Sequence, residues 1–263
     1  MKVTILGCGG SAGSPQIGGA DGAGEWGEID PLEPRNRRSR PSIVIENEAG
    51  ERLLVDTGPD LRLQLTAERI GRIDGVLYTH PHADHIAGLD EIRILNRIID
   101  KPMPAWADAA TWLDLEQRFD YAFRPWVPGK GFFRPVLVKH DLRAGEVAGV
   151  LGMQVRVIDQ DHGFIRSLGL RIGSFAYCTD VVRLDEAALA ALEGLDVWIV
   201  DCFTSGPPHP THANLAQVLE WVERLRPKRT ILTHLGPNMD YRHLYETLPK
   251  GIEPAWDGMV VEV

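Results

Sequence analysis

Thr79-His80-Pro81-His82-Ala83-Asp84-His85 places four metal-capable side chains within six positions, directly after the apolar run Gly75-Val76-Leu77-Tyr78. His80 and His82 are two residues apart, so an extended backbone turns both imidazoles to one side. Asp84 and His85 fall where the chain leaves a strand and enters a helical pattern, Ile86 through Ile99. One turn thus offers two imidazoles to one metal, and a carboxylate with an imidazole to another. Imidazole and carboxylate together suit zinc, manganese or iron.

Outward from this stretch, strands are expected at Val3–Leu6, Ser42–Glu46, Leu53–Val55, Gly75–Tyr78, Val136–Val138, Gln154–Ile158, Gly169–Ile172, Phe175–Tyr177, Val197–Val200, Thr230–Leu232 and Met259–Val263. Helical patterns cover Asp60–Ile70, Ile86–Ile99, Ala109–Phe119, Asp185–Leu192 and Leu215–Leu225, and Pro125–Phe133 reads as irregular. The second half roughly repeats the first. The expected architecture is one α/β domain over residues 1–263, with two mixed β-sheets face to face and helices on the outer faces.

The 263 residues are 44% hydrophobic and 25% charged, and the net charge is −9 with nine histidines counted neutral. That balance opposes bulk electrostatic coating of nucleic acid, although nucleic acid as a substrate stays open. No stretch has the length of a membrane-spanning helix, and the N-terminal residues resemble a first strand rather than a signal segment. Three scattered cysteines make no disulfide framework. A cytoplasmic protein with no membrane partner is the expectation.

Four ligands in one turn are half of a two-metal site. Three more candidates sit at the ends of expected strands: His162 beyond Ile158, Asp180 beyond Tyr177, and His234 beyond Leu232. Strand ends deliver side chains to one sheet edge, where α/β proteins build sites. On these residues the chain resembles the metallo-β-lactamase superfamily of dinuclear metal hydrolases, which implies a four-layer αββα sandwich. Leu54-Val55-Asp56-Thr57-Gly58 is similar to the family's first acidic motif, in which Asp56 would support the ligands from behind. The resemblance implies that His80, His82 and His162 hold one ion, that Asp84, His85 and His234 hold the other, and that Asp180 bridges them. Two divalent cations, zinc or manganese, follow as the expected cofactors.

Within that superfamily the chain resembles the phosphodiesterase branch, which contains ribonuclease Z and the phosphoribosyl cyclic phosphate phosphodiesterases. The carrying residues are Leu6 through Pro15, the Arg-rich approach to the second strand, Asp201-Cys202, His212 within Thr211-His212-Ala213-Asn214-Leu215, and Trp256-Asp257-Gly258-Met259. One departure is clear. The loop Gly18–Gly27 contains no cysteine, and the residue three beyond His234 is Pro237, so no separate structural zinc is expected.

The implied activity is hydrolysis of a small nucleotide-like or ribose (cyclic) phosphodiester by a metal-bridging hydroxide, with cations roughly 3.5–4 Å apart. His212 is the candidate general acid, with Asp84 also in the catalytic set. His209, three residues earlier, could compete for that task or touch substrate. Arg38 and Arg40, from the run Arg35–Arg40, are candidate phosphate contacts, because guanidinium forks suit phosphate oxygens. His140, His243, Cys178 and Cys202 are read as structural or surface residues. Gly7–Ala12 is only a loose dinucleotide fingerprint, because no helix follows it. Two alternatives stay open: a ribonuclease Z-like endonuclease, and a non-catalytic metal-binding protein of the same fold. A homodimer is an expectation from the resemblance.

Overall fold

The computed structural model describes residues 1–263. Its strands are β1 (Lys2–Gly7), β2 (Ser42–Glu46), β3 (Arg52–Val55), β4 (Gly75–Leu77), β5 (Met103–Ala107), β6 (Leu137–Asp141), β7 (Val147–Val150), β8 (Met153–His162), β9 (Ile165–Ile172), β10 (Phe175–Cys178), β11 (Val197–Asp201), β12 (Arg229–Thr233), β13 (Ile252–Pro254) and β14 (Val260–Glu262). The α-helices are α1 (Leu61–Ala67), α2 (Ala83–Ile86), α3 (Ile92–Ile99), α4 (Ala109–Arg118), α5 (Glu186–Ala191), α6 (Leu215–Leu225) and α7 (Tyr241–Thr247).

Two seven-stranded sheets result, ordered β14-β1-β2-β3-β4-β5-β6 and β13-β12-β11-β10-β9-β8-β7. Each begins as an antiparallel meander and continues as parallel strands, which is the repeat visible between the two halves of the sequence. The alternation within single strands explains the layering. Ile43 and Ile45 of β2, with Leu53 and Val55 of β3, join Val155, Val157, Leu168, Leu170, Tyr177 and Ile199 in the core between the sheets. Val44 and Leu54 point the other way, onto Leu61, Leu65, Ile92, Leu95, Trp112 and Leu115 of α1, α3 and α4. Strands buried on both faces read as continuous apolar runs, as these do. No helix is long and apolar enough to cross a membrane.

Several expectations need correction. The pattern Ile86–Ile99 is not one helix. Single-turn α2 is followed by a 3-10 turn at Leu89–Glu91 and then by α3. The break falls at Gly88, where a Cβ would stand 2.1 Å from the Gly58 carbonyl oxygen, so the chain bends to let two backbones touch. β8 runs on to His162 rather than ending near Ile158, and it closes a two-residue hairpin with β9. Its polar end, Asp159-Gln160-Asp161, hid the continuation. β5, β7, α7 and β13 escaped the sequence reading. β5 contains Pro104 and follows Pro102, and prolines read as strand breakers.

Candidate metal centre

The site lies along one edge of the sandwich, at the ends of β3, β4, β10, β11 and β12 and at the tip of the β8–β9 hairpin. Three of its residues leave their strands in the left-handed region: Asp56 (φ 66°), Asp180 (φ 54°) and His234 (φ 56°). Such conformations cost free energy in residues other than glycine and cluster where the surroundings over-determine them.

Asp56 is fully buried and staples the ligand turn at both ends. Its Oδ1 accepts the Thr79 N–H at 2.8 Å, and its Oδ2 accepts the Thr79 hydroxyl at 2.8 Å and meets His85 Nδ1 at 2.7 Å. The Thr79 hydroxyl spends its proton on Asp56, so it accepts from His80 Nδ1 at 3.0 Å. His162 Nδ1 lies 2.7 Å from the Thr211 carbonyl, which can only accept. These backing bonds place protons on the Nδ1 atoms of His80, His85 and His162 and turn each Nε2 inward.

Two clusters form on those inward faces. His80, His82, His162 and Asp180 offer ligand atoms within 4.8 Å of one another, as do Asp84, His85, Asp180 and His234. In the first, His82 Nδ1 stands 3.0 Å from His80 Nε2 and 3.1 Å from His162 Nε2. One proton on His82 can satisfy only one of those two acceptors, whereas a cation satisfies all three nitrogens. In the second, Asp84 Oδ2, His85 Nε2 and His234 Nε2 are buried without hydrogen-bond partners. Asp180 spans both clusters: Oδ1 is 3.6 Å from His162 Nε2 and 3.3 Å from His234 Nε2, while Oδ2 is 3.2 Å from His85 Nε2. A carboxylate can face two cations in this way; one imidazole nitrogen cannot. The donor set fits two divalent cations.

The electrostatics are lopsided. Burial pushes His80, His82 and His162 below the usual histidine range. Burial also acts downward on His85 and His234, but Asp180 and Asp84 outweigh it, lifting His234 to about 9 and His85 well above its ordinary value. Burial would raise Asp84 and Asp180 in turn, and the neighbouring imidazoles hold both low instead. Positive charge is therefore favoured around the three carboxylates Asp56, Asp84 and Asp180.

His212 joins the edge from the loop before α6. Its Nδ1 donates to Asp201 Oδ2 at 2.7 Å, its ring stacks on His234 with centroids 4.4 Å apart, and it lies 4.8 Å from the His162 ring. Asp201, the last residue of β11, also accepts the Val181 N–H at 3.0 Å. The Asp201–His212 bond, the Thr79 hydroxyl and the Thr211 carbonyl were not assigned roles from sequence. Asp201 carried a readable signal, an aspartate closing the apolar strand Val197-Trp198-Ile199-Val200. A backbone carbonyl carries none.

The two arginines stand apart from the clustered ligands. Arg38 is only 2% exposed, and its Nη2 donates to the Met239 carbonyl at 2.6 Å and to Asn36 Oδ1 at 3.0 Å. It ties two loops together and, with Arg40, borders the same cavity. Arg40 pairs with Asp60 at 3.2 Å and lines a cavity of about 410 Å³ with Arg37, Gln64 and Asp257, which includes none of the clustered ligands. His209 is partly exposed beside Phe203 and His212, with centroids 4.9 and 5.3 Å away, and burial lowers its pKa. His140 is exposed and stacks on Trp106, and His243 is exposed on α7.

A family model described as "Beta-lactamase superfamily domain" matches residues 51–235. The structure of a diphosphatase from the PhnP family superposes with a TM-score of 0.87 at 33% identity, covering 100% of this chain and 97% of that one. A Porphyromonas gingivalis protein named octanoyltransferase is 28% identical over 98% of this chain, which spans about half (51%) of that relative's length. The anti-Pycsar protein Apyc1 of Bacillus phage 010DV004 is 27% identical over 76% of this chain and 83% of its own.

Proposed function

Because this chain belongs to the metallo-β-lactamase superfamily, in its phosphodiesterase branch, we propose that it is a metal-dependent hydrolase of a small nucleotide-like or ribose (cyclic) phosphodiester. His80, His82 and His162 would hold one cation and Asp84, His85 and His234 the other, with Asp180 between them. Bound there, divalent cations supply Lewis-acid activation and neutralise charge on phosphoryl oxygens.

The observation that carries this reading is the His212–Asp201 pair packed against both clusters. An alkoxide leaving from phosphorus needs a proton, and a thiolate leaving from a thioester, with an ordinary pKa of about 8.5, does not. His212 holds its Nδ1 proton on Asp201, so Nε2 is the nitrogen that delivers a proton to the leaving oxygen. The buried Asp201 carboxylate orients the ring. Asp84, at the N-terminus of α2, adds negative charge opposite His234.

The diphosphatase relative favours a second reading at the same centre, cleavage of a P–O–P linkage, in which the leaving oxygen belongs to a phosphate. Two other readings find less support. Endonuclease action on precursor transfer RNA would call for a long basic arm, but β9 and β10 are joined by only Gly173-Ser174, and the 8–33 loop packs back on Arg38 and Pro237. Acyl transfer through a thiol is opposed by burial of Cys8, Cys178 and Cys202, which pushes each thiol up, Cys178 to about 12.

The test is turnover of metal-loaded protein on cyclic and linear phosphodiesters, a dinucleoside diphosphate, a precursor transfer RNA and a thioester. His212→Ala is expected to keep its metal content and to lose about 10²–10⁴-fold in kcat on the phosphodiester. Equal turnover in the variant would remove His212 from the chemistry. Cleavage of the thioester alone would overturn the phosphodiesterase reading.

A further inference from the structure

The tip of the β8–β9 hairpin carries Phe164, 89% exposed and two residues beyond His162. A single exposed phenylalanine is ordinary on a protein surface. This one stands on a fixed support beside the ligand clusters. The Phe164 N–H donates to the His162 carbonyl at 3.0 Å, and the Gly163 N–H donates to Asp161 Oδ1 at 2.9 Å. Gly163 adopts φ 76°, and a Cβ there would come within 2.7 Å of the Pro210 carbonyl oxygen. Two backbones therefore meet at Gly163 and Pro210, one carrying Phe164 and the other His209.

His209 is a second accessible ring. Its Nδ1 lies 3.2 Å from the Thr211 hydroxyl and accepts the Thr211 N–H at 3.4 Å, which fixes its orientation. Both rings are within three residues of a site group, His162 in one case and His212 in the other. His82, whose Nδ1 stands 3.1 Å from His162 Nε2, is itself exposed.

We propose that Phe164 and His209 form a recognition face for a planar aromatic group, a nucleobase, carried by the ester that the metal centre cleaves. Stacking suits such a face, because every base has a π-surface, and an aromatic ring held by a tight turn loses little freedom on binding. This inference rests on the phosphodiesterase reading for its kinetic test.

The experiment compares metal-loaded wild type, Phe164→Ala and Phe164→Trp on 2′,3′-cyclic AMP and on a base-free ribose cyclic phosphate, with metal content measured in each. For the alanine variant, kcat/KM on the base-bearing ester is expected to fall about tenfold, mainly through KM, while the base-free ester changes less than about twofold; tryptophan restores the loss. Equal losses on both esters, or no loss on either, would overturn the recognition face. If wild type cleaves neither ester, the phosphodiesterase reading fails by itself. The stacking claim is then read from equilibrium binding of adenosine monophosphate to the metal-loaded protein, expected to be about tenfold weaker in Phe164→Ala; unchanged binding would overturn it.

Discussion

At the scale of single residues, the centre depends on groups that orient ligands as much as on the ligands. Asp56 fixes His85 directly and His80 through the Thr79 hydroxyl. Asp201 does the same for His212, which makes it a positioning residue with a distinctive signature. Asp201→Asn keeps an oxygen that can accept from Val181 and His212 but removes the negative charge. At least a tenfold fall in kcat is expected, with KM and metal content near wild type. A fall in metal content to match would instead place Asp201 in the metal site. The seven ligand candidates were legible in sequence because four crowd one turn and three lie beyond the apolar runs of strands, and backbones that leave strands at one edge converge there. Arg38 shows the limit of local reading: a guanidinium in a basic run suggests phosphate, and its hydrogen-bond partners here, the Met239 carbonyl and Asn36, lie 201 and 2 residues away in sequence. Nothing in local sequence announces such a long-range partner.

At the scale of elements, the ligand turn is shaped by the backbone beneath it. Gly58 and Gly88 meet so closely that a Cβ on Gly88 would stand 2.1 Å from the Gly58 oxygen, and one on Gly58 2.5 Å from the Asp84 oxygen. The Gly88 N–H donates to the Thr57 carbonyl at 2.8 Å, and the Thr57 N–H to the His85 carbonyl at 2.7 Å. Gly88→Ala is therefore expected to destabilise the fold by about 1–3 kcal/mol, measured by urea unfolding, despite the better helix propensity of alanine. An unchanged midpoint would show that the turn yields freely. Apolar periodicity located the surrounding strands and α6, since burial on one or both faces leaves a period in the sequence. It merged α2 with α3, because a glycine contact across two loops has no periodic trace. It also missed β5, where the pairing of a parallel strand overrode two prolines.

At the scale of the whole molecule, residues near the C-terminus lock the beginning of the chain. Asp257 Oδ1 accepts the Cys8 N–H at 3.0 Å, and its Oδ2 accepts the Ser39 N–H and hydroxyl, each at 2.6 Å. Cys8 in turn accepts the Leu235 N–H at 2.8 Å, next to His234. Burial, opposed by these bonds, lifts Asp257 to about 6. The folded state thus binds this proton more tightly than the unfolded chain does. Its contribution to stability is complete below about pH 4 and is lost as pH rises through about 6, by up to ~3 kcal/mol. The difference in unfolding free energy between wild type and Asp257→Asn should decline across that window; a flat difference would mean the carboxyl stays ionised throughout. The same closure has a consequence for synthesis. β1 lies between β2 and β14, with Lys2 opposite Glu262, so a strand made among the first waits for one made more than 250 residues later. Until that partner leaves the ribosome, one flank of β1 is an open template, and a nascent chain needs shielding there against its neighbours on the same message.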